Sequence, residues 1–338
     1  MNESLIFAAL WIFIYCYMIL ASIDFGAGFY LFYGQNILKR GSLFLPIQEY
    51  LSPISELIHI AFILAFALFC GFSSEITLMY QTTLAAPGVL AILLILIKGT
   101  FFTAAELSQK KARLRRFCIA GNGITGLFIA PVLSIAMVIS EGGFNGRNNW
   151  WQFASQLVRN FYFWTVMLIA VVSILYISAI YFILVADTFG KGELSDGMRN
   201  FALFWSMPTV LASGLAFLGL ENQNPDHFMK TLDNYGLFLL SLLCLLIAVT
   251  LVFMKRAYYL SFLSVMMQYF FALMGYTQSH LPYIIYPDIK LSSQSTRLIH
   301  SWWFILLAFL LSLAFVILTL FFKFRSIRRR AQFKQLAE

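Results

Sequence analysis

Nine runs of apolar residues, each long enough to cross a hydrocarbon core of about 30 Å, constrain this chain more than anything else in it. They cover residues 5–33, 54–72, 80–103, 117–140, 160–187, 200–220, 233–254, 257–276 and 299–322. Only the polar knot Ser73-Ser74-Glu75 separates the second from the third. Of 338 residues, 61% are hydrophobic and 11% charged, a balance that excludes a soluble domain. No basic region precedes the first run and no small-residue cleavage site follows it, so it is expected to be a retained span rather than a signal peptide.

The basic residues set an orientation. Alternate loops carry Lys39 and Arg40; Lys110, Lys111, Arg113, Arg115 and Arg116; Lys191 and Arg199; Lys255 and Arg256; and a tail with Lys323, Arg325, Arg328, Arg329, Arg330 and Lys334. That is 17 of the 23 Lys and Arg residues on one side. The other side has Arg147, Arg159, Lys230, Lys290 and Arg297. The positive-inside rule therefore predicts an external N-terminus and a cytoplasmic C-terminus. The net charge of +8 is thus a membrane signal and not a nucleic-acid one. Trp150 and Trp151, in an external stretch rich in Asn and Gly, read as interface anchors.

The expected fold is an all-α membrane protein, one integral domain over 1–338. An internal echo subdivides it. Tyr17, Ile19, Leu20, Phe25 and Gly26 recur as Tyr181, Ile183, Leu184, Phe189 and Gly190, at a constant offset of 164. Two pseudo-repeated four-helix bundles, 1–140 and 160–276, would explain it, with a ninth helix at 299–322 and a basic cytoplasmic tail at 323–338.

Charge inside the apolar runs is the functional signal, because an ionisable group at that depth must pair or line a hydrated path. Asp24 is the only charge between Leu5 and Tyr33, and Gly26 and Gly28 follow it. Lys98 lies within the third run, and Glu106 follows it. Glu56 and His59 stand three residues apart at the start of the second run, so they share a helix face, with His59 about 4.5 Å deeper. The orientation gathers Asp24, Glu56, His59, Lys98 and Glu106 in the cytoplasmic half of the first bundle. An ion pair between Lys98 and Asp24 or Glu56 explains them structurally. A proton path from the cytoplasm explains them functionally, since burial raises a carboxylate pKa towards neutrality. Both readings can hold together.

Other chemistry finds little footing. Glu56-x-x-His59 is half of a di-iron bundle motif, and the second half is missing. His227 and His280 are expected in external loops and His300 at the outer start of the ninth run, leaving His59 alone at depth. No intrinsic haem, metal site or catalytic residue is therefore expected in this chain. Cys16, Cys70, Cys118 and Cys244 are scattered through apolar runs and read as packing residues. Phosphate-binding glycine loops and nucleophile elbows are absent.

Taken together these residues resemble subunit II of the cytochrome bd-type quinol oxidases. Asp24-Phe25-Gly26-Ala27-Gly28 is similar to the end of that family's first-helix motif, and Pro53-Ile54-Ser55-Glu56 to its Pro-x-Trp-acid. Lys98-Gly99 stands where the family tends to carry Arg-Gly, with Glu106 near its following acid. The stretch Tyr286-Pro287 to Ser292-Ser293 matches an aromatic-Pro-x-x-x-x-Ser-Ser segment before the last helix. Ala21 and Ser55 depart from the motif acid and Trp. The resemblance implies a non-haem subunit that stabilises a haem-bearing subunit I, the two forming a heterodimer that oxidises quinol and reduces dioxygen to water. It places haem b and haem d in that partner. It leaves open a proton route through Asp24, Glu56, His59, Lys98 and Glu106, a structural quinone or lipid, and a small single-span accessory subunit. The rival class is a stand-alone proton-coupled secondary transporter. Pro131 and Pro208, which interrupt two runs at unmatched repeat positions, disfavour it.

Overall fold

The computed structural model describes residues 3–40, 43–51, 59–60, 62–63, 74–108, 111–144, 150–188 and 190–290. Its helices are α1 (Glu3–Phe32), α2 (Leu45–Tyr50), α3 (Ser74–Leu107), α4 (Ala112–Ser140), α5 (Trp150–Arg159), α6 (Phe161–Thr188), α7 (Gly192–Gln223), α8 (Pro225–Asp233), α9 (Tyr235–Phe253) and α10 (Tyr258–His280). A π-helical turn, Tyr33–Ile37, ends α1, and a small antiparallel hairpin, β1 (Tyr283–Ile285) with β2 (Ile289–Lys290), follows α10.

Seven helices among the described residues are long and apolar enough to cross a membrane. They coincide with the first and the third to eighth expected runs. The ninth run, its tail and Glu56 lie outside the described residues, as does most of the second run. The stretch around His227, expected as an external loop, is instead the end of α7 and the short helix α8. Pro225 at the first position of α8 and the Asn224 side chain, which accepts from the His227 amide at 3.1 Å, start that helix.

Hydroxyls within the spans bond back to the preceding turn, as Ser22 to the Met18 carbonyl (2.7 Å), Thr103 to Gly99 (2.9 Å) and Thr209 to Trp205 (2.8 Å). Each is satisfied inside its own helix, as an apolar surrounding requires.

Helix α1 is central. It packs on α4 and α6, while α3 lies along α4, α7 along α6, and α9 along α10. The glycines after Asp24 make this approach close on two faces. A Cβ at Gly26 would collide with the Ser178 side chain on α6. A Cβ at Gly28 would sit 2.7 Å from Asn122 Oδ1 on α4, and one at Gly123 2.7 Å from the Gly28 carbonyl. Small residues replace side-chain interdigitation with backbone contact here. Long-range hydrogen bonds from α1 complete the clamp: Tyr30 Oη to the Leu175 carbonyl (2.8 Å), Tyr15 Oη to the Met266 carbonyl (2.7 Å) and Trp11 Nε1 to Thr277 Oγ1 (2.9 Å).

The basic turns meet at one end of the bundle. Arg40 approaches Glu193 at 3.7 Å, Lys255 pairs with Asp196 at 2.9 Å, and Asn36 donates to the Arg116 carbonyl at 2.9 Å. Gly123→Val should force α1 and α4 apart and destabilise the protein by about 1–3 kcal/mol or more, read as a lower unfolding midpoint in detergent. An unchanged midpoint would show that the contact yields easily.

Candidate functional site

Two of the predicted residues meet on a third. Asp24 on α1 receives the Lys98 Nζ of α3 at 2.9 Å and faces His59 Nε2 at 3.3 Å, through the same carboxylate oxygen. All three are at most 3% exposed. On its other side His59 Nδ1 lies 3.0 Å from Tyr17 Oη. The four side chains form one hydrogen-bonded chain, Tyr17–His59–Asp24–Lys98.

Aromatic rings wall this chain. The Phe25 ring lies 4.6 Å from the His59 ring and 5.7 Å beneath Lys98 Nζ, and Phe62 stacks on Tyr17 at 3.6 Å. From α4, Asn122 donates to the Lys98 carbonyl at 3.2 Å. Gly126 faces the Lys98 side chain, where an added Cβ would lie 3.5 Å from its Cε. The close approach at Gly28 is therefore what brings α4 up to this cluster.

The cluster lies about 13 Å along the helix from the end of α3, at 1.5 Å per residue, towards the end that carries the basic turns. Glu106 is not part of it. It is exposed near the end of α3, two turns beyond Lys98. Tyr17 was not foreseen. It falls seven residues before Asp24 on the same face, but an aromatic residue in an apolar run gives no sign of a polar role.

Chemically, a carboxylate shared by an ammonium and an imidazole holds its charge without water. The imidazole can take a proton on one nitrogen and release one from the other, so the chain can store or relay protons. Both ring nitrogens of His59 are engaged.

The sequence placed His227 and His280 in external loops, and the structure sets both in helices instead. His227 is buried in α8 and His280 ends α10, and both turn towards Glu141 at the end of α4, with ring centroids 4.9 Å apart. So close a pair leaves no room for a macrocycle between the rings. Burial pushes the Glu141 carboxyl up, but the bond to His227, the charges of both histidines and the Tyr276 hydroxyl outweigh it and hold the group below its usual value.

A family model described as cytochrome bd terminal oxidase subunit II matches residues 2–327. The chain belongs to that family. As a subunit II it is part of a cytochrome bd oxidase, an oxidoreductase complex of the membrane. It is 31% identical to a chain of the bd oxidase from Geobacillus thermodenitrificans, with a TM-score of 0.78 over 96% of this chain and 97% of that one. It is also 23% identical over 303 residues to a Bacillus subtilis (strain 168) protein provisionally named cytochrome bd menaquinol oxidase subunit II, covering 85% of each. No observation favours the transporter alternative.

Removing one member of a buried pair strands the other charge, at a cost of about 3–5 kcal/mol. Asp24→Asn and Lys98→Met should each destabilise by that order, and the double variant should recover much of the loss. Simply additive losses in a thermal-unfolding cycle would show that the two charges do not depend on each other.

Proposed function

We propose that this chain is the haem-free second subunit of a quinol oxidase. It packs against a haem-bearing subunit I that oxidises quinol and reduces dioxygen to water, with haem b and haem d both in that partner. The carrying observation is the Tyr17–His59–Asp24–Lys98 chain, set inside a protein of the subunit II family. In this reading Glu56, three residues before His59, receives protons from the cytoplasm and hands them to His59 and Asp24. Lys98 keeps Asp24 ionised between transfers, and Glu106 gathers charge at the surface. The basic turns are cytoplasmic, and the N-terminus is external. Quinone and lipid occupy the apolar surface, where a small single-span subunit also has room to sit.

In the same reading the chain is two pseudo-repeated bundles, 1–140 and 160–276, followed by the apolar run 299–322 and the basic tail 323–338, and contacts among the described helices support the repeat. Helix α1 lies on α4 as α6 lies on α10, and α3 pairs with α4 as α9 pairs with α10.

Purification from the native membrane should bring down a haem-bearing chain, and a lone protein would reject the assignment. Within the assembled complex, Glu56→Gln should slow quinol-driven oxygen consumption by at least about tenfold, as loss of a proton-transfer group does. The haem spectrum should not change. Full turnover in an intact complex would remove Glu56 from the path.

A further inference from the structure

At the end of the bundle away from the basic turns, three groups from separate helix ends converge. Glu141 follows the last turn of α4, and its side chain is wholly buried. His227 Nδ1 lies 2.9 Å and 3.0 Å from its two carboxylate oxygens, and His280 Nδ1 lies 3.5 Å from Oε1.

The opposite ring nitrogens decide what these contacts are. His227 Nε2 faces the Tyr276 carbonyl at 3.1 Å, and His280 Nε2 faces the Ile284 carbonyl at 3.4 Å. A carbonyl can only accept, so each of these contacts calls for a proton on Nε2, and a neutral ring then turns its Nδ1 lone pair towards Glu141. Two neutral rings so placed both face the carboxylate with lone pairs, and positive charge between them, a proton on His227 Nδ1 or one cation bound to all three groups, makes the contacts attractive. A proton serves one ring, whereas a single divalent cation takes up both Nδ1 atoms and the carboxylate together.

The surroundings fit such an ion. Backbone carbonyls orient histidine ligands in the same way in metal sites. Asn224 Nδ2 donates to Glu141 Oε2 at 2.8 Å, and the Tyr276 hydroxyl donates to Oε1, so the carboxylate is held as well. One ligand atom from each of Glu141, His227 and His280 lies within 4.8 Å of the other two. The closer separations approach the edge of about 3.3 Å expected of a tetrahedron with bonds near 2.0–2.1 Å.

We propose that Glu141, His227 and His280 bind a divalent transition-metal ion of the zinc class. The ion clamps the ends of α4, α8 and α10, with water or the Tyr276 oxygen in the fourth position. The sequence reading expected no metal, and this site is independent of the proton path.

The test uses the whole oxidase complex, stripped with a chelator, exposed to Zn2+ and washed. Elemental analysis should find about one zinc per subunit II, as a three-ligand site with one open position would hold. His227→Gln and His280→Gln should each lower zinc affinity by at least about tenfold. Zinc should raise the unfolding midpoint of the wild type and leave that of the variants unmoved. X-ray absorption on the zinc-loaded wild type, which needs no variant to fold, should show two imidazoles and a carboxylate. An assembled wild type that retains no zinc, variants that retain it fully, or a zinc shell without imidazole would each overturn the proposal.

Discussion

The ion pair between Asp24 and Lys98 is the interaction on which the centre of the molecule depends. In a hydrocarbon surrounding, neither group is tolerable without the other, so α1 and α3 must meet at one height and in one rotation. The 2.9 Å contact enforces that register. His59 joins through the same oxygen, which fixes a third segment. Apolar packing alone sets no such register, since one ring of leucines slides past another at little cost in lipid.

The glycines make the pair reachable. Gly26 lets α1 close on α6, and Gly28 with Gly123 lets it close on α4, which carries Asn122 and Gly126 against Lys98. The short motif after Asp24 thus serves the acid by shaping both neighbouring contacts. Side chains as large as alanine would hold the helices off, and Asp24 would lie in a looser and wetter groove.

Among the described residues two buried polar clusters stand out, one towards each end of the bundle. The first belongs to α1 and α3 and is built round one carboxylate with a cation. The second belongs to α4, α8 and α10 and is built round one carboxylate with two imidazoles. Each is buried, and each joins helices distant in sequence. A subunit made largely of apolar helices holds its internal geometry at these two points, where hydrogen-bond direction counts for more than area.

Much of this was legible in the chain. The seven described spans fall where the apolar runs placed them, because run length against bilayer thickness is a local property. Asp24, His59 and Lys98 could be singled out because charge in an apolar run is rare, and the alternation of basic turns put them at one height. The second cluster stayed hidden. Glu141, His227 and His280 lie at helix ends beside polar loops, where ionisable residues are ordinary, and nothing local separates a buried carboxylate from an exposed one there. The sequence by itself determined the membrane class, the seven described spans and the acid that needs a partner. Only the tertiary structure decided which cation and imidazole meet Asp24, and that two distant histidines share Glu141, because such choices depend on helix rotation and on long-range packing.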